Sequence, residues 1–162
     1  MVLNELAEHL ALEASAYRDL VGLLQKETRD LVERDYKALY DTVDSKGQVV
    51  GRIEALGKKR AALIAKAAGD LSVGGEANLS AIIARLESPV RGELARLQET
   101  ILALIESVRE INSLNTLVVK GSLENIGKTL GFLGGFMPGT TYKRGGTIEG
   151  ASPKGLRLSE GA

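Results

Sequence analysis

Apolar residues recur at spacings of three and four from Val90 to Leu133: Val90, Leu94, Leu97, Ile101, Leu104, Val108 and Ile111, then Asn115 where an apolar residue is due, then Val118. The register resumes at Leu123, Ile126, Leu130 and Leu133. This alternation lays one apolar stripe along a helix, and a stripe kept up over several heptads is a coiled-coil seam. A helix over about 89–133 is roughly 65 Å long at 1.5 Å per residue. Its stripe must be covered by the rest of the chain or by another molecule.

Two further periodic segments can supply the cover. Leu3, Leu10, Tyr17, Leu24 and Leu31 repeat at sevens, with Leu6, Ala7, Ala14, Leu20 and Val21 between them, which predicts a helix over about 4–34. Asn4 is placed to cap it, and Glu5 and Glu8 put negative charge in its first turn. The register breaks at Glu33-Arg34-Asp35, and Asp35 can cap a second helix over about 36–68. That helix carries the stripe Leu39, Val43, Val50, Ile53, Leu56, Leu63, Ile64 and Ala67. One continuous kinked helix would leave both stripes uncovered, so a tight antiparallel hairpin is expected. Acidic residues outnumber basic ones from Met1 to Asp35, and the reverse holds from Tyr36 to Asp70. Flanking charges of opposite sign favour this pairing, at about 0–1 kcal/mol for each exposed pair.

Gly69, Gly74 and Gly75 mark a turn, after which Asn78 or Ser80 opens a short amphipathic helix over about 78–87 through Leu79, Ile82, Ile83 and Leu86. Ser88-Pro89 interrupts it, since a residue before proline avoids helical angles while proline suits a first helical turn. Toward the end of the long helix, Gly121, Gly127, Gly131, Gly134 and Gly135 each cost about 1 kcal/mol relative to alanine. Beyond Met137-Pro138 the composition turns to Gly, Thr, Lys, Arg and Ser. Such a segment buries too little apolar surface to fold alone. The expected fold is all-α: an elongated antiparallel three-helix coiled-coil bundle over 1–137 with a short extra helix, followed by a flexible Gly-rich tail over 138–162.

Composition narrows the class. The 162 residues are 44% hydrophobic, with 2 Phe, 4 Tyr and no Trp, so the core is a thin aliphatic seam. Basic and acidic residues balance at 21 each, which gives no basic excess for nucleic acid or an anionic membrane. The absence of Cys excludes a disulfide framework and thiolate metal sites. With no basic leader at Met1-Val2-Leu3-Asn4-Glu5 and no window approaching a membrane span, a soluble, intracellular, unprocessed protein is expected.

Candidate chemistry is sparse, and no enzyme and no cofactor are expected. Gly127-Lys128-Thr129 has the ending of a phosphate-binding loop, but Ser122 stands where its first glycine belongs and no strand precedes it. His9, the single histidine, lies between Glu5 and Glu13 at helical spacing. A di-iron pattern would need glutamate at Leu6, so His9 reads as a solvated surface residue rather than a metal or phosphotransfer site. Gly47 and Gly51 form G-x-x-x-G in a polar setting, either small residues that admit a close helix or simply tolerated glycines.

Two features remain. Asn115 sits on the seam, as a register pin or as a ligand contact. Leu123, Ile126, Leu130, Phe132, Leu133, Phe136 and Met137 form an apolar, Phe- and Met-containing end, followed by Tyr142. It can bind another chain or dock on its own bundle.

The order of Leu-Leu-Gln-Lys-Glu (23–27), Leu-Val-Glu-Arg-Asp (31–35), Leu39, Ser-Pro-Val-Arg-Gly-Glu-Leu (88–94), Val-Arg-Glu-Ile-Asn-Ser-Leu-Asn (108–115), Ser122-Leu123 and Thr141-Tyr142 closely resembles the FlgN family of flagellar export chaperones. The resemblance implies an antiparallel helical protein that binds hook-filament junction proteins in the cytoplasm, keeps them unassembled and presents them to the flagellar export gate. It maps the family's Asn-x-x-Asn onto Asn112 and Asn115 and its Thr-Tyr onto Thr141 and Tyr142; Lys143, Gly145 and Gly146 depart from the usual Tyr-Asp-x-x-Gly. With the surplus apolar stripe beyond Val118 added to these motifs, the expected partner-binding residues are Asn112, Asn115, Val118, Leu123, Ile126, Leu130, Phe132, Leu133, Phe136, Met137 and Tyr142. Partners are then the C-terminal helices of hook-associated proteins and the export apparatus, with no nucleic acid, no membrane insertion, and a monomer or weak homodimer. The competing class is a structural coiled coil without a client, whose long helix self-associates.

Overall fold

The structure, a computed structural model, describes residues 2–74, 77–87, 89–134, 140–142 and 148–150, with side chains through residue 128. Four helices dominate: α1 (Val2–Glu33), α2 (Tyr36–Asp70), α3 (Leu79–Arg85) and α4 (Val90–Gly134). Two short strands follow, β1 (Thr140–Tyr142) and β2 (Ile148–Gly150), paired antiparallel with Tyr142 opposite Ile148. The periodicity reading assigned no strand here. Three residues are too few to show an alternation, although Thr, Tyr and Ile are strand formers. The chain divides into two compact units, Met1–Val118 and Val119–Ala162.

The hairpin turn is built by capping on both sides. Arg34 takes the left-handed conformation with φ 59°, the Arg34 N–H bonds to Leu31 O and the Asp35 N–H to Asp30 O at 3.0 Å, which closes α1 in a Schellman motif. The Asp35 carboxylate then accepts from the Ala38 N–H at 3.0 Å and starts α2, as its position in the sequence predicts. The end of α2 repeats the device: Ser72, with φ 50°, bonds to Gly69 O and Val73 to Ala68 O. Asn78 caps α3 through the Ala81 N–H at 2.9 Å. Asn4 does not cap α1, which already begins at Val2. The helix α4 runs on through Gly121, Gly127 and Gly131 to Gly134.

Within the first unit the apolar core lies toward the start of α1. Leu6, Leu10 and Ala14 of α1, Leu63 and Ala67 of α2, Ile82 and Ile83 of α3, and Leu94 and Ile101 of α4 form one buried cluster. Pairs across α1 and α2 run in opposite order along the two helices: Glu13 with Arg60, Asp19 with Arg52, Glu27 with Lys46, and Asp30 with Thr42. The two helices are therefore antiparallel.

The stripe assigned to α2 needs correction in its first half. Val43 and Val50 are exposed, while Thr42 is buried and Val49 half-buried. The inward heptad is Thr42, Lys46, Val49, Ile53, Leu56, Arg60, Leu63 and Ala67. On α1 the face that meets it is His9, Glu13, Ala16, Leu20, Glu27 and Asp30, all buried. His9 is thus no solvated residue: it is 2% exposed and its Nε2 lies 2.8 Å from Leu56 O. A purely apolar criterion fails here because this seam contains paired polar groups, and a polar group that finds a hydrogen-bond partner can be buried.

Candidate functional site

Toward the hairpin turn the seam of the first unit becomes a polar junction. Glu27, buried on α1, accepts from the Lys46 ammonium of α2 through Oε1 at 2.5 Å and from the Asn115 amide of α4 through Oε2 at 2.9 Å. The same Asn115 Nδ2 donates to Leu24 O at 3.1 Å, and Asn115 Oδ1 accepts from the Thr28 hydroxyl at 2.7 Å. Every polar face of that amide has a protein partner on α1. Asn115 is therefore the register pin, and its side chain is not offered to a ligand.

A second triad lies one turn further along α1. The Lys26 ammonium donates to Asp30 Oδ2 at 2.9 Å and to Thr42 Oγ1 at 2.6 Å, and the Thr42 hydroxyl donates to Asp30 Oδ2 at 2.7 Å. Hydrogen bonds from Lys26 and Thr42 hold the Asp30 carboxyl below the usual carboxylate range. Nearer the apolar core, buried Glu13 is bound by the Arg60 guanidinium through Oε1, while its Oε2 has no hydrogen-bond partner among the described residues. Burial, with the Glu13 charge second, pushes the nearby Tyr17 phenol up, and Arg60 partly opposes this. These groups are committed to one another, and among the described residues no cluster of three or more His, Asp or Glu side chains could hold a metal ion.

The α4 surface changes character around Asn115. Seam positions Leu94, Leu97, Ile101, Leu104, Val108 and Ile111 are buried or half-buried, and Asn115 is buried. Between Thr116 and Lys128 only Gly121 is even half-covered. In the first unit Asn112 is exposed, as are Leu114, Leu117 at 62% and Val118 at 37%. In the second unit Val119, Leu123 at 62% and Ile126 at 55% are exposed. Leu130, Phe132 and Leu133 belong to α4, with side chains outside the described set; Phe136 and Met137 lie outside the described residues. Tyr142 is the last residue of β1.

The two asparagines of Asn-x-x-Asn are therefore divided, one inward and one outward. Leu114, Leu117 and Val119 were not among the expected contacts. Their signal was present as apolar residues off the seam of a helix whose other faces are polar. Among the described residues no helix is long and apolar enough to cross a membrane.

A family model described as FlgN protein matches residues 1–150. No curated protein matches the chain, and no solved structure does. The match covers almost the whole chain, including all four helices, the Asn112–Asn115 motif and the β1–β2 pair. The chain belongs to the FlgN family, the family of flagellar export chaperones.

Proposed function

We propose that this chain is a cytoplasmic chaperone for hook-filament junction proteins, which it binds before export, keeps unassembled and delivers to the flagellar export gate. The observation that carries this reading is the exposure of Leu117, Leu123 and Ile126 on α4 after the buried pin at Asn115. Large aliphatic side chains left in water on a helix favour a partner helix that covers them. The client class is a C-terminal amphipathic helix of a hook-associated protein. Asn112, Val118, Leu123, Ile126, Leu130, Phe132, Leu133, Phe136 and Met137 are its proposed contacts, and Asn115 supports them by fixing the register of α4.

The bundle that presents this surface is, within the first unit, an antiparallel three-helix coiled coil of α1, α2 and α4; the expected tail, 138–162, lies outside the described residues apart from β1 and β2. The ordered pairs between α1 and α2 and the Asn115 contacts to α1 support this arrangement. Tyr142 serves the export apparatus rather than the client.

The test is titration of the full chain with a purified hook-filament junction protein, followed by calorimetry. Leu123→Asp with Ile126→Asp should weaken binding at least tenfold without loss of helicity, and deletion of residues 131–162 should abolish it. Tyr142→Ala should leave binding intact and impair export. Undiminished affinity in the truncated chain overturns the reading.

A further inference from the structure

The outward face of α2 carries a stripe that is exposed among the described residues. Tyr36 is 74% exposed, Tyr40 77%, Val43 46% and Val50 39%. Gly47 and Glu54 complete the row, both exposed. The spacings along Tyr36, Tyr40, Val43, Gly47, Val50 and Glu54 are four, three, four, three and four, which read the same from either end. We propose that this stripe is self-complementary and that two copies of the chain pair through it, α2 against α2, antiparallel about a two-fold axis.

The argument begins with symmetry. An isologous interface must present to itself a surface in which residue i meets j and j meets i. A two-fold at the level of Ser45 does this for all six positions: Tyr36 meets Glu54, Tyr40 meets Val50, and Val43 meets Gly47, each twice. The chemistry of each pair agrees. The Tyr36 phenol can donate to the Glu54 carboxylate, the Tyr40 ring lies over the branched Val50 side chain, and Val43 enters the space left by the missing Cβ of Gly47. Within one chain that space has no use: a Cβ at Gly47 meets nothing within 4 Å. A mid-helix glycine is destabilising relative to alanine, and opposite Val43 it acquires a purpose.

The heptad spacing also favours a helix over other occupants, because a stripe of this period stays in contact with a second helix along its length. Its length, about 27 Å at 1.5 Å per residue, makes the interface one helix wide and small among specific interfaces. The dimer is therefore concentration-dependent. It uses α2 and not the α4 surface proposed for the client, so either proposal can fail without the other.

Sedimentation velocity of the full chain from micromolar to millimolar concentration should show a monomer–dimer equilibrium. Val43→Glu, at an exposed position and so without loss of helicity, should weaken it about tenfold or more. Because the sequence has no cysteine, V43C and G47C proteins mixed in equal amounts and oxidised should yield the mixed disulfide in preference to either homodisulfide. A chain that stays monomeric throughout, a dimer indifferent to Val43→Glu, or disulfides formed without preference would each overturn the proposal.

Discussion

Glu27 holds Lys46 with one carboxylate oxygen and Asn115 with the other, so a single buried side chain of α1 ties down both α2 and α4. Removing the amide leaves Glu27 Oε2 without its partner, while Leu24 O keeps the Thr28 hydroxyl at 3.0 Å. Asn115→Ala should therefore cost about 2–3 kcal/mol in denaturant unfolding, the range for buried acceptors left unpaired. Asn112→Ala, on the exposed side of the same motif, should change stability by less than about 0.5 kcal/mol. A double-mutant cycle of Glu27→Gln with Asn115→Ala should give a coupling above about 0.5 kcal/mol.

Glu13 and Arg60 form an ion pair in which the carboxylate is almost wholly buried and the guanidinium reaches solvent. Arg60→Ala should destabilise the chain by about 3 kcal/mol, because it leaves a charge without its counterion inside the hairpin. Glu13→Leu combined with Arg60→Leu should recover most of that loss, since well-packed apolar replacements of a buried pair are often neutral or better. Thermal unfolding of the two variants decides the point.

Arg34 and Ser72 both sit at the left-handed position of a Schellman motif, where glycine carries no Cβ strain. Arg34→Gly and Ser72→Gly should each stabilise by about 0.5–1 kcal/mol, the strain relieved less the extra entropy of an unfolded glycine. For a chain of this size the melting temperature should rise by about 2–4 °C per kcal/mol.

Two groups contribute a pH dependence to stability, in opposite directions. The folded-state carboxyl of Asp30 titrates below its unfolded value, so its contribution is complete above the unfolded value near 4 and is lost as pH falls through the folded one. Asp30→Asn should flatten the acid limb of a stability–pH profile. The Tyr17 phenol is raised, so folding keeps its proton where the unfolded chain releases it. Its contribution is complete below about pH 10 and declines above it, and Tyr17→Phe should remove that decline.

How much of this could be read from the sequence depended on whether a seam was apolar. The four helices, Asp35 as a cap, Asn78 as one of two candidate caps with Ser80, and Asn115 as a polar seam position followed from spacing and capping chemistry. The inner face of α2 did not, because Thr42, Lys46 and Arg60 occupy it and their partners on α1 are remote in sequence. Hydrophobicity therefore selected Val43 and Val50, which face outward. His9 was misread for the same reason: the carbonyl it meets belongs to Leu56. The turn at the end of α2 was sought at glycines, whereas the left-handed residue is Ser72. For the candidate site, the spacing on α4 set Asn115 on the seam and Asn112 off it, but the choice between register pin and ligand contact rested on Leu24, Glu27 and Thr28, which are remote in sequence.

The division of the first unit into an aliphatic end and a polar end has a dynamic consequence. Aliphatic contacts between α1, α3 and α4 are lost only when water enters a large volume at once, whereas the bonds of Glu27, Asp30, Thr42 and Lys46 can be exchanged for water one at a time. Local opening should therefore start at the hairpin turn, and in hydrogen exchange the amides near Leu31 and Tyr36 should exchange faster than those near Leu10 and Leu63. Such a gradient lets the turn end yield while the aliphatic end keeps its structure.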